Sequence, residues 1–463
     1  MEQKISPKIC KRNMKLFPLY RAISFDYLFF YTINFLFLTQ IKNISPSNVV
    51  LEDAFYSLFI IIFQIPAVLT IELIGRKKCM VLGNLSNVIY ILLVLLSDSL
   101  LDLIIAEIFA SIAFSLKDVS DLSLLNESIP QASTKSRIFA KLTSKGLSGY
   151  FILNSISLMI SGFIYTINGY LPIIISLCIV IFSFLISLAF IDPIPENNDE
   201  NYNDNKNEKQ NIDENNNNNN NIDKEIQISK KEKIKETLKI SINDLIISFK
   251  YIISSKRLRS LILFSSIMYG VITVLASYQV SLLEEIGLPA GIIGIVVAFL
   301  EITASISSKK QEKFHNKFKN KSLSILGVTV SLACILLGLS GYLGNNIYII
   351  SIIAIFALSI KYIIVGIYQI LIDRYYRNFT NEDIDSKIFS AKSFFNSISS
   401  TILGIVASLL LNITNTKNSL IIIGFIFLLL FIITINYMKT RLGLNPNEYD
   451  SKELKFDDLQ LNK

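Results

Sequence analysis

The stretch NSLIIIGFIFLLLFIITINY (418–437) contains no charged residue, and eleven other windows of similar length and character recur along the chain. A helix needs about 20 such residues to cross the hydrocarbon core of a bilayer. No water reaches that core, so a spanning backbone must satisfy its own hydrogen bonds, which leaves helices or a closed barrel. The windows lack the apolar-polar alternation of barrel strands, so helices are expected. Hydrophobic residues make up 51% of the 463 positions, more than one soluble domain carries.

The windows lie at 17–39, 49–71, 79–97, 102–125, 146–168 and 171–191, then at 260–283, 287–307, 322–343, 346–372, 390–412 and 418–437. The expected fold class is an all-α integral membrane protein, with twelve transmembrane helices in two pseudo-symmetric six-helix bundles. In chain order the expected parts are an N-terminal segment 1–16, a bundle 17–191, an Asn-rich linker 192–231, an amphipathic segment 232–258, a second bundle 259–437 and a tail 438–463. The linker, with its run of seven asparagines, has too few apolar residues to bury and is expected to be a disordered tether. Segment 232–258 alternates apolar and basic residues at helical spacing; periodicity alone allows an amphipathic helix on the membrane face or an extension of span seven.

Of 44 lysines and arginines, only Lys42 and Lys417 fall in loops on one side of these spans. The positive-inside rule makes the other side cytoplasmic, with both termini and the linker there. The net charge of +7 is spread over short loops and forms no patch for nucleic acid. Cys10, Cys79, Cys178 and Cys334 are too dispersed for a disulfide framework or a metal site, and the single histidine, His315, is expected to be solvated in a Lys-rich loop. There is no phosphate-binding loop and no nucleophile-histidine or HExxH arrangement, so neither an enzyme nor a cofactor is expected.

The two halves echo each other. SRIFAKLTSKG (136–146) resembles SKIFSAKSFFN (386–396), and LLNES (124–128) and ILIDR (370–374) each close a fourth span with a carboxylate. Such repeats place a substrate site at their interface, near the bilayer midplane.

Between spans two and three, ELIGRKK (72–78) interrupts the apolar pattern. The cluster resembles the signature of the major facilitator superfamily, Gly-x-x-x-Asp-Arg/Lys-x-Gly-Arg/Lys-Arg/Lys. Glu72, Gly75, Arg76 and Lys77 stand in matching positions, while Val68 replaces the first glycine and Leu73 the first basic residue. Similar transporters pair this arginine with the acid four residues before it and with an acid closing span four, here Glu72 and Glu127. The resemblance implies a latch of Glu72, Arg76 and Glu127 closing the cytoplasmic side in the outward-open state. It also implies that spans one, four, seven and ten line a central cavity.

Ionisable residues inside spans are costly and mark functional positions. Span one carries Arg21 and Asp26, span four carries Glu107, Lys117, Asp118 and Asp121, and span ten carries Lys361 followed by Tyr368 and Gln369. Asp26 is the first candidate for coupling, because a carboxylate withdrawn from water can load and unload a proton as water access alternates. Lys361 is its expected counter-charge from the other half. Phe29, Phe30, Tyr31, Tyr269 and Tyr368 are expected to give the cavity an aromatic lining suited to amphipathic molecules.

The expected function is secondary active transport by alternating access, as a proton-coupled antiporter exporting small amphipathic molecules. Alternatives are uptake of a sugar or organic anion, with Lys361 binding the anion, and a transporter-like sensor. Against export, span five lacks the Gly-Pro-x-x-Gly-Gly pattern of many drug antiporters in this superfamily. The expected partners are a small-molecule substrate, protons and the lipid bilayer, for a monomer in the plasma membrane.

Overall fold

The computed structural model describes residues 7–130, 135–192, 251–318, 321–343, 346–379 and 382–439, with isolated positions between 239 and 250. The Asn-rich linker and part of the amphipathic segment expected at 232–258 lie outside the described residues.

The described residues form helices joined by short turns. Span one begins as helix Pro7–Ser24, breaks, and resumes as Tyr31–Leu36 with a wider π turn at Phe37–Ile41. Spans two to six are Pro46–Ile74, Arg76–Leu96, Leu100–Ser128, Lys135–Ile167 and Leu171–Leu188. Spans seven to twelve are Lys256–Glu285, Ala290–Lys309, Ser322–Ser340, Ile347–Phe379, Glu382–Ile413 and Thr416–Lys439, with a short connecting helix Gln311–Phe318 after span eight. Among the described residues, ten of these helices are long and apolar enough to cross a bilayer unaided. The other two are span one, because of its break, and span four, which carries Glu107, Lys117, Asp118 and Asp121.

Local chemistry sets the helix starts. The Ser45 side chain accepts from the Asn48 N–H just before Pro46 at the first helical position of span two. Ser99 and Asp102 form a reciprocal capping box at the start of span four. Ser255 accepts from the Leu258 N–H where span seven begins.

In the first half, span four packs on spans two and three, span one on span five, and span six on span three. The second half repeats the scheme with span seven on span eleven, span eight on span ten, and span nine on span twelve. The bundles meet mainly along two helix pairs, two with eleven and five with eight, and spans one and two also touch span seven. Among the described residues, hydrogen bonds join the bundles at Gln40–Glu284 (2.7 Å), Asp53–Ser277, Ser57–Ser400 (3.0 Å) and Ser47–Ser408 (2.8 Å). All four lie in the half of the molecule opposite the Arg76 loop, here termed the distal face. Small residues allow the backbones to touch there. A Cβ on Gly162 of span five would lie 2.8 Å from Gly291 Cα of span eight, and one on Gly404 would lie 2.9 Å from Ala54 Cβ.

His315 is not solvated: it is 9% exposed in the short connecting helix, edge-on to Tyr375 with ring centroids 5.8 Å apart and 3.5 Å from the Ser322 hydroxyl. The connecting segment folds back as an amphipathic turn of helix and buries the imidazole against span ten.

Candidate functional site

The loop between spans two and three turns at Gly75, whose φ of +85° suits a residue without a Cβ. That turn brings Arg76 to Glu127 as an ion pair, and the Arg76 Nε also donates to Ser123 Oγ at 2.8 Å. Asp192, just beyond span six, accepts from the Lys77 backbone N–H at 2.8 Å and so caps span three with a negative charge at its positive end. The Glu72 side chain lies outside the described residues. Arg76 and Glu127 belong to the same bundle, and they pair while the bundles are joined at the distal face. The pair ties spans three and four together within the first bundle.

The break in span one falls on the segment that carries Asp26. Asp26 Oδ1 accepts from the adjacent Tyr27 N–H at 2.9 Å, a local bond that competes with the helical ladder. Phe29 adopts φ +64°, a left-handed conformation rare outside glycine. The carbonyl freed at Ser24 is met by the Lys117 ammonium of span four, a cation at a helix C-terminus. Span one was expected to be continuous over 17–39; Asp26 and Lys117 together account for the interruption. Irregular backbone at this depth is tolerated where it lines a cavity or is buried in protein.

Below the break, Asp121 is fully buried. It accepts from the Tyr20 hydroxyl at 3.1 Å on both oxygens and pairs with Arg21 at 3.4 Å. Asn84 of span three donates to the same hydroxyl at 2.8 Å and accepts from Ser183 of span six at 2.9 Å. Spans one, three, four and six are thus tied by one polar network around a buried ion pair, which is costly to break because a lone charge would remain. Arg21 also lies over the Phe25 ring at 4.7 Å. Asp118, on the same span, is exposed.

In the second half, Lys361 is 5% exposed. Its Nζ donates to Gln279 Oε1 at 3.3 Å and sits 4.1 Å from the Tyr362 ring centroid, while the Tyr362 hydroxyl donates to the same Gln279 oxygen at 3.0 Å. The carboxylate whose field reaches Lys361 is Glu301 of span eight. The expected pairing of Lys361 with Asp26 is therefore replaced by one within the second bundle. Tyr368 was expected to line the cavity; it is 4% exposed and donates to the Ser265 carbonyl at 3.1 Å, which locks span ten to span seven. Gln369 is exposed, as is Tyr269. Phe30 is buried in the first bundle, whereas Tyr31 is 53% exposed beside Asp26.

Glu107 is 4% exposed, and two further polar groups of neighbouring spans are as deeply buried, Glu52 of span two at 3% and Tyr90 of span three at 4%. Glu52 and Asp53 sit in VVLEDAFYS within the second apolar window. The rule applied to spans one, four and ten, that an ionisable residue inside a span marks a site, would have flagged both. Asn84, Asp192 and Gln279 carry no such signal, because a neutral amide or a loop acid is common anywhere.

The family model described as Major Facilitator Superfamily matches residues 19–382. Similar solved structures include the nucleoside transporter NupG, 12% identical over 93% of this chain and 99% of that chain, with a TM-score of 0.64. A POT family transporter in complex with 5-aminolevulinic acid is 14% identical over 95% and 98% of the two chains, with a TM-score of 0.62. A bacterial homolog of the human lysosomal transporter Spinster, inward-facing and unoccupied, is 12% identical over 98% and 99%, with a TM-score of 0.59. Among curated proteins no match is found. At these identities the likeness to solved structures is one of fold. With the family model spanning most of both bundles, the chain belongs to the major facilitator superfamily.

Proposed function

We propose that this protein is a secondary active transporter that exports small amphipathic molecules in exchange for protons by alternating access. The observation that carries the reading is the uneven seam between its halves. The bundles are hydrogen-bonded across the distal face, while Asp26 and Tyr31 of one bundle and Tyr269 and Glu301 of the other retain solvent exposure. A seam closed at one end around accessible charged and aromatic groups suits a site that water enters from alternate sides.

Lysine and arginine placement makes the distal face extracellular and the termini cytoplasmic. The state described is then closed to the outside. Asp26, at the break and beside exposed aromatic side chains, is the carboxylate on which a cationic amphipathic substrate and a proton compete. Arg76 and Glu127 hold the inner ends of spans three and four as one body while the bundles rock. A second reading, uptake of an organic anion, is favoured by Lys361, whose direct hydrogen bond goes to the neutral Gln279.

The test is transport in reconstituted vesicles with an imposed pH gradient, using a panel of lipophilic amines, nucleosides and short peptides. Gradient-driven movement of the amines by the parent, lost in Asp26→Asn while substrate exchange persists, is expected. Movement of the amines that ignores the gradient, or a fully driven Asp26→Asn, overturns the reading.

A further inference from the structure

The segment that leads into span seven carries isoleucines that the described residues leave uncovered. Its described positions 239, 243, 246, 247 and 249–254 are helical, and Ser255, extended at φ −79° and ψ 111°, separates them from span seven. Positions 239, 243, 246, 250 and 253 are spaced by fours and threes, so they share one side of that helix. They are Lys239, Asn243, Ile246, Lys250 and Ile253, all exposed, with Ile247 and Ser254 exposed beside them. Ile246 is 44% exposed, Ile247 39% and Ile253 61%. The rest of the helix is pinned to the protein. Tyr251 and Ile252 are buried in the core, and the Phe249 ring stands edge-on to Phe394 and Phe395 at the inner end of span eleven, with centroids 5.5 and 5.3 Å apart. Arg259 of span seven donates to the Ile253 carbonyl at 2.8 Å and closes the last turn.

A single surface isoleucine needs no account, but three on one short helix, interleaved with lysines, suit a boundary between apolar and polar media. Lysine fits such a boundary because its stem lies along apolar surface while its ammonium reaches outward. Neither the Lys239 nor the Lys250 ammonium has a partner among the described residues. The sequence leading in, SKKEKIKETLK (229–239), carries five lysines against two glutamates. Basic clusters beside a membrane-spanning helix attract anionic headgroups. The helix joins span seven at the end that lysine and arginine placement makes cytoplasmic. A second copy of this chain is a poorer occupant, since a two-fold contact would bring the same cations together. The Asn-rich linker has acids but few apolar side chains to cover the isoleucines.

We propose that this face docks on the cytoplasmic leaflet, with Ile246, Ile247 and Ile253 entering the acyl boundary while Lys239 and Lys250 meet the headgroups of anionic phospholipid. The helix is then an anchor lying along the membrane surface. Through Phe249 it also holds the inner end of span eleven, which packs on span two across the seam, at the level of the headgroups. The inference is independent of the substrate and of the direction of transport.

The chain contains no tryptophan, so one introduced indole is the sole emitter of its kind. The experiment places the full chain carrying Ile246→Trp, or separately Ile253→Trp, in phosphatidylcholine vesicles with and without phosphatidylglycerol. Brominated acyl chains serve as the quencher from the membrane and acrylamide as the quencher from water. Loss of emission to the brominated chains and shielding from acrylamide are expected at both positions. Both effects should grow with phosphatidylglycerol and shrink when Lys239→Gln and Lys250→Gln are added. Emission lost to acrylamide and indifferent to brominated lipid overturns the docking. So does shielding from both quenchers, which would mean that a second copy or the linker covers the face. Equal quenching in neutral and anionic vesicles, unmoved by the lysine substitutions, overturns the assignment to anionic headgroups.

Discussion

Replacing Gly162 by alanine puts a wedge into the seam where spans five and eight touch. The added Cβ would stand 2.8 Å from Gly291 Cα and 2.9 Å from the Ala290 carbonyl carbon. Carbon atoms rest at about 3.5–4.0 Å, so the two backbones must part by roughly 1 Å. Both contacts are backbone and cannot rotate away as a side chain would. Overpacking of this kind costs about 1–3 kcal/mol. The cost falls on the distally closed state, because the contact is made across the seam and the same Cβ meets open space once the bundles separate. That energy corresponds to a shift of roughly 5- to 150-fold in the balance between closed and open forms. Ser400 reports the balance: it is 4% exposed and bonds Ser57 across the seam. In a Cys178→Ser background, which removes the exposed native thiol, a cysteine at position 400 should react with a soluble maleimide faster in Gly162→Ala than in Gly162 by that factor. An unchanged or slower rate would refute the assignment of this contact to closure.

Arg76→Gln removes the ion pair to Glu127, whose partners are 37% and 36% exposed. An exposed pair contributes under about 1 kcal/mol, so insertion and thermal midpoint should match the parent while transport in vesicles falls; normal transport would leave this arginine only an anchoring role. Asp192→Ala uncaps span three at the Lys77 N–H and should cost about 1 kcal/mol, read as a lower unfolding midpoint in detergent that Asp192→Asn largely restores. An equal midpoint for the alanine variant would mean that water replaces the carboxylate at no cost.

The Arg76–Glu127 contact was nameable in advance because both residues stand at positions with a known pattern, one after a turn glycine and the other four helices into the chain. The break in span one was not. FDYLFFYTINFLFL (25–38) has no glycine or proline to mark a break and a single charged residue, and what interrupts it is a carboxylate turned onto its own backbone and an ammonium arriving from span four. The partner of Lys361 was equally hidden. A span that is apolar on every side carries no stripe to show which way it faces, so whether its one ammonium meets Asp26 or Gln279 depends on rotation and depth set by neighbouring helices.

By itself the sequence determined that the chain crosses a membrane as two repeated six-helix halves, because the cost of exposing backbone and charge to hydrocarbon acts on each segment separately and leaves its mark in composition. Which partner each acid meets was decided only by the tertiary structure. Helix packing between residues a hundred or more positions apart brings Arg21 to Asp121 and Asp53 to Ser277. Such distances are a property of the assembled bundle and of no segment within it.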